Sequence, residues 1–291
     1  MARDARYLLT LVLALTALVG GPDDGGINPC IAQPTASILS VYYGLDRATP
    51  AANDFCGEIV VGQDAVPVTF SVQIDSTSLA PEDFAVETST GELVTPDCAT
   101  LEPASEPLER RTVLLTGNFG TDDDPFLAVE VVGDLRDVDG NVLTGLRSED
   151  IAPFWMGPTL VLAERYLPDN PGLDGDYPAG TEQVVQLVWA GGVTAPNGAP
   201  LGEVQRLAVS VRLEDGSTVP PIELRDDNDQ DNFVYACLDE ASPAVEVSVA
   251  DTGFFCDPVN DPNPATSATV VDGVSVPVRQ ESWGSVKARF R

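Results

Sequence analysis

Histidine is absent from the whole chain. Without an imidazole, the Ser-His-Asp and Cys-His nucleophile systems and the HExxH metalloproteases are excluded. Cysteines number five, with no CxxC pair among them, so the ligand set of a zinc site is missing as well. Lysine occurs once, as Lys287, and 15 basic residues face 46 acidic ones for a formal charge of −31. A surface of that sign repels phosphate backbones and anionic lipid heads, which argues against nucleic acid or membrane surfaces as partners. No glycine-rich phosphate cradle or dinucleotide fingerprint is present. After residue 21 no apolar stretch approaches the roughly 20 residues that a membrane helix needs. Two acids at glycosidase spacing remain conceivable, but 46 acids make that condition uninformative. The chain is therefore expected to be non-enzymatic.

What is there begins with a compartment signal. Arg3 and Arg6 precede an apolar run from Tyr7 to Val19, which suits a secretory signal peptide over residues 1–21, followed by a linker over 22–35. That reading places the mature protein outside the cell, at its surface or in the periplasm, with no membrane insertion after signal removal. In such a compartment Cys56 would pair with Cys98, and Cys237 with Cys256, leaving Cys30 over.

Strands dominate the rest. Val66, Val68, Phe70, Val72 and Ile74 alternate onto one face, as do Val185, Leu187 and Trp189, then Leu207, Val209, Val211 and Leu213, and finally Val245, Val247 and Val249. Trp189 is expected in a core, and Trp155 between domains. Gly91, Gly117, Gly140, Gly216 and Gly273 punctuate these runs. One helical turn is expected near Leu79–Phe84, where proline and acids suit an N-terminal end.

The pattern occurs twice. Ile38–Tyr43 is echoed by Leu160–Tyr166, Asp83–Glu87 by Arg206–Ser210, Thr112–Leu115 by Phe233–Ala236, Ala128–Val131 by Ala244–Val247, and Asp137–Asn141 by Asp257–Asp261. Short strands with Gly and Pro turns in units of this size indicate an all-β chain of two tandem Ig-like β-sandwich domains related by internal duplication, over 36–152 and 158–278. A C-terminal strand or tail follows over 279–291. An open barrel is the alternative architecture.

Val68-Thr69-Phe70-Ser71, then Glu82-Asp83-Phe84-Ala85-Val86, and the turn Asp137-Val138-Asp139-Gly140-Asn141 occur in an order that resembles the bacterial Ig-like repeats of surface-layer and adhesin-type secreted proteins. The resemblance covers about 90 residues of the first repeat and survives in the second mainly as pattern. It implies a structural or adhesive module, with extracellular protein or polysaccharide as partner, and no catalytic residues. Two acidic turns could hold a hard cation: Asp227, Asp229 and Asp231 in one, Asp137, Asp139 and Asn141 in the other. Calcium takes six to eight oxygen ligands, which alternating Asp and Asn supply. Neither turn completes an EF-hand loop, and the competing reading makes both plain turn formers whose side chains bond their own backbone. A carbohydrate-binding module is the alternative function. It would use a platform built from Trp155, Trp189 and Trp283 with Tyr42, Tyr43 and Tyr177.

Overall fold

The computed structural model describes residues 36–51, 56–173, 177–226 and 229–273. The signal peptide, the linker, Cys30, Asp227, Trp283 and the tail lie outside the described residues, which belong to one compact unit beginning at Ala36.

The chain is all-β. In its N-terminal half the strands are β1 (Ile38–Tyr42), β2 (Asp64–Phe70), β3 (Phe84–Glu87), β4 (Leu93–Val94), β5 (Cys98–Thr100), β6 (Thr112–Gly117), β7 (Ala128–Val131), β8 (Arg147–Ser148) and β9 (Ile151–Ala152). Then come β10 (Leu160–Tyr166), β11 (Gln183–Trp189), β12 (Val209–Leu213), β13 (Thr218–Val219), β14 (Glu223–Arg225), β15 (Phe233–Leu238), β16 (Ala244–Val249) and β17 (Thr266–Asp272). A short helix, α1 (Glu203–Ala208), precedes β12. The helical turn expected near Pro81 forms as a 3-10 turn over Pro81–Asp83, where the Ala80 N–H donates to Asp83 Oδ2 at 2.9 Å.

Strand order repeats between the halves. The first half has a five-stranded layer β5-β6-β2-β1-β9 and a four-stranded layer β4-β3-β7-β8. In the second half β17 pairs with β16 through Thr266–Thr269 and with β10 through Val270–Asp272, so one long strand stitches β14-β15-β11-β10 to β13-β12-β16. The same arrangement in the first half is broken between β8 and β9. Even an irregularity is shared: the register of β1 on β2 shifts between Ile38 and Ser40, and that of β10 on β11 between Leu160 and Leu162.

Pairing corrects three of the sequence correspondences. Val86 and Val211 each face a short-strand valine, Val94 and Val219, and each pairs on its other side with a buried valine, Val129 and Val247. The echo of Asp83–Glu87 therefore lies two residues further on than Arg206–Ser210, because α1 inserts extra residues ahead of β12. Pairing with Val86 and Val211 likewise matches Val129 to Val247 rather than to Val245. Val41 matches Ala163, since each sits between the same two neighbouring strands, so Tyr42 falls at the position of Glu164.

Each half has its own apolar core. Val41, Val68, Phe70, Phe84, Val86, Val113 and Val129 build the first from both layers. Leu187, Trp189, Val209, Val211, Val234, Val247 and Phe255 build the second. Trp189 is fully buried, its ring 5.2 Å from that of Phe255.

Every residue of β11 is buried, which alternation alone does not require. Val185, Leu187 and Trp189 face their own core. Val188 joins Phe233 and Ala104 in a third, smaller cluster where the halves meet. Polar groups complete this junction. Arg111 donates to Glu164 Oε2 and, at 2.9 Å, to Ser71 O, while Tyr166 donates to the same carboxylate at 2.6 Å. Asn232 Nδ2 donates to Thr112 Oγ1 at 2.9 Å, and Gln186 Nε2 to Leu108 O at 3.2 Å. The Tyr42 hydroxyl lies 2.6 Å from both Met156 O and Asp257 Oδ2, and its one proton serves one of them.

Candidate functional site

The β14–β15 connection brings acids together. Asp226, Asp229 and Asp231 each offer a carboxylate oxygen within 4.8 Å of the others. Local hydrogen bonds shape the loop: the Asp231 N–H donates to Asp229 Oδ1 at 3.1 Å and the Phe233 N–H to Asp231 Oδ1 at 2.7 Å. Gln230 adopts a left-handed φ of 65° between them. Of the expected ligands Asp229 and Asp231 belong to this cluster. Asp226 joins them, whereas Asp227 lies outside the described residues.

Two further acids come from the other half of the chain, on the segment ahead of β6. Tyr235 donates to Glu109 Oε1 at 2.6 Å, and the charge of Glu106 acts on Glu109 in turn. Glu109 and Asp231 are each only 6% exposed. Burial, then the charges of Glu109 and Asp229, hold the Asp231 carboxyl well above the usual carboxylate range, with the Phe233 N–H opposing. Burial likewise raises Glu109 to about 8, against the opposing Tyr235 bond. Anions buried this way are stabilised by a proton or by a cation. Reasoning from sequence missed Glu106 and Glu109, because nothing in the linear order links them to residues some 120 positions away.

At the second acidic turn the side chains are otherwise occupied. Asp137 Oδ1 accepts from the Asp139 N–H at 3.0 Å and the Asn141 N–H at 2.8 Å, and Oδ2 accepts from Asn141 Nδ2 at 2.8 Å. Asp137, Asp139 and Asn141 thus form a turn whose central carboxylate is spent on its own backbone. Its counterpart is alike in detail, with Asp257 Oδ1 accepting from Val259 N at 3.1 Å and Asp261 N at 2.8 Å. Gly140 and Asn260 supply the left-handed residue at φ 84° and 76°. Asparagine tolerates that region, so the turn survives a change of sequence.

The cysteines divide. Cys56 and Cys98 form a disulfide, tying the β1–β2 connection to edge strand β5. Cys237 and Cys256 do not pair; both are buried free thiols, which overturns the second expected bridge. The register gives the reason. Cys98 faces Thr116 across β5–β6, and the matching pair across β14–β15 is Glu223 facing Cys237. Cys237 therefore occupies the place of Thr116, and the β10–β11 connection carries no cysteine to mirror Cys56. Burial and the charge of Glu223 push the Cys237 thiol up to about 12, which keeps it unreactive. Since the Cys56–Cys98 bridge spans 42 residues, its reduction is expected to cost about 4 kcal/mol. Urea unfolding with and without reductant measures that difference, and coincident curves would show the bridge to be inconsequential.

The aromatic platform does not assemble among the described residues. Trp189, Tyr42 and Tyr43 are buried, and Arg225 lies over the Tyr177 ring, 5.3 Å from its centre. Trp155, expected between domains, is 67% exposed instead.

No family model matches this chain, and no curated protein matches it. Solved structures do, two of them as follows. The crystal structure of the N-terminal part of the bacterial S-layer protein SbsC matches with a TM-score of 0.29 at 13% identity, over 82% of this chain and 44% of that one. The structure of surface layer protein SbsC, domains 1–6, matches with a TM-score of 0.30 at 14% identity, over 84% of this chain and 27% of that one. The likeness is slight. The chain spans less than half the length of either protein.

Proposed function

We propose that this is an exported, non-enzymatic structural protein: two copies of an Ig-like β-sandwich packed into one body, with a divalent cation such as calcium held where they meet. The observation that carries the reading is the convergence of Glu106 and Glu109 from one half with Asp226, Asp229 and Asp231 from the other, two of the five being buried. A cation there would neutralise buried charge and link the halves at once. The repeated strand order supports the duplication, and the Cys56–Cys98 bridge supports an oxidising compartment at the cell surface or beyond it. Adhesion to an extracellular protein or polysaccharide fits the same reading, because an acidic coat disfavours nucleic acid.

Calcium titration tests it. Calcium is expected to raise Tm relative to chelator by several degrees, and Asp231→Asn to remove most of the gain; an unchanged Tm for the native chain rejects the cation. The pH dependence has a definite sign. Glu109 is raised from its ordinary 4.5 to about 8, so its contribution to stability is fully present below pH 4.5 and is lost as pH rises through 8. In chelator, Tm should therefore fall between pH 5 and pH 8 by something on the order of 5 °C. Glu109→Gln should flatten that fall, and a fall of the same size in this variant would assign it to other groups.

A further inference from the structure

In each half the first and last strands lie side by side and run parallel. β1 pairs with β9 at Val41↔Ile151 and Tyr42↔Ala152, and the Tyr43 N–H donates to Ala152 O at 3.0 Å. β10 pairs with β17 at Ala163↔Val270, Glu164↔Val271 and Arg165↔Asp272, and the Gly273 N–H donates to Arg165 O at 2.8 Å. Parallel neighbours place the entry of each half at one end and its exit at the other. Tension applied through the chain then slides the two strands along each other. All bonds of the ladder are loaded together, whereas tension across neighbouring strand ends opens them one by one.

A second feature reinforces these ladders. Tyr42 and Glu164 occupy the same position in the two of them, opposite Ala152 and Val271. Each side chain reaches out of its own half. Tyr42 lies against Asp257 of the second half, and Glu164 is gripped by Arg111 of the first. Neither ladder can slide without disrupting a buried polar contact with the other half.

We infer that the chain is a tension-bearing element in which two parallel-strand clamps, braced against each other through Tyr42–Asp257 and Arg111–Glu164, yield as one unit. This deepens the structural reading above, on which its biological use rests, but the mechanical behaviour follows from strand direction alone. Failure of the calcium titration would leave it standing.

Force spectroscopy on the full chain, held at its two ends, tests the idea. One unfolding event is expected, releasing roughly 65 nm because the Cys56–Cys98 loop stays closed. Joint replacement Tyr42→Phe, Arg111→Met and Glu164→Gln should split that event into two successive ones. Direction supplies the decisive control. Leu167 is 61% exposed just beyond β10, so a handle on Leu167→Cys paired with one at the C-terminus peels β17 from β10 without disturbing the core. Peeling should need a severalfold lower force than end-to-end loading, since forced unfolding reports the barrier along the pulled direction. Equal forces in the two directions, or two separate events in the native chain, would overturn the proposal.

Discussion

Arg111→Met should lower the unfolding free energy by about 4 kcal/mol, because it strands a buried anion. Arg111 and Glu164 are 5% and 6% exposed, and the guanidinium is the cation that Glu164 meets. Methionine retains much of the apolar stem, so the loss reports charge rather than volume. The carboxylate would keep the Tyr166 hydroxyl, which cannot offset a full buried charge. In a body of this size Tm should drop by roughly 10 °C. Adding Glu164→Gln to Arg111→Met should restore most of the loss, since a neutral amide still accepts from Tyr166 and no longer needs a cation. Urea denaturation of both singles and the double gives the coupling energy directly. An Arg111→Met chain as stable as the native one would mean that water already reaches Glu164.

The second large effect lies in the other core. Trp189→Ala should cost about 4 kcal/mol through the cavity it leaves against Phe255. Trp189→Phe should cost less than half as much, because the indole Nε1 is buried with no hydrogen-bond partner, so phenylalanine gives up volume but no bond. The fold itself has made this exchange. Phe70 pairs with Ile38 at the bulge where Trp189 pairs with Leu160, so the same pocket holds a phenyl ring in one half and an indole in the other. Guanidinium unfolding curves for the two variants check the ordering, and equal losses would show that the cost does not come from a cavity.

Particular residues show how much could be read before folding. Alternation placed Val66, Val68 and Phe70 on one face and Val185, Leu187 and Trp189 on another, because period two survives any tertiary arrangement. The echo of Thr112–Leu115 in Phe233–Ala236 kept its register, since both strands are paired on each side. Helix α1 escaped notice because six residues carry too little periodicity, and its insertion displaced the correspondences around it. The second cysteine pair looked sound from spacing alone, but pairing depends on which strand each residue faces, and Cys237 faces Glu223. Compositional reasoning saw acids everywhere. Only the meeting of distant segments distinguishes Glu109 and Asp231 from the solvated rest, and proximity of that kind leaves no mark in linear order.

Tyr42 and Glu164 hold the same position in their two ladders and make different demands. A tandem assembled from two N-terminal halves would offer a phenol where Arg111 requires an anion. One assembled from two C-terminal halves would face a carboxylate with Asn232, which stands at the place of Arg111. The two halves are not interchangeable, and their order along the polypeptide is written into the surface between them.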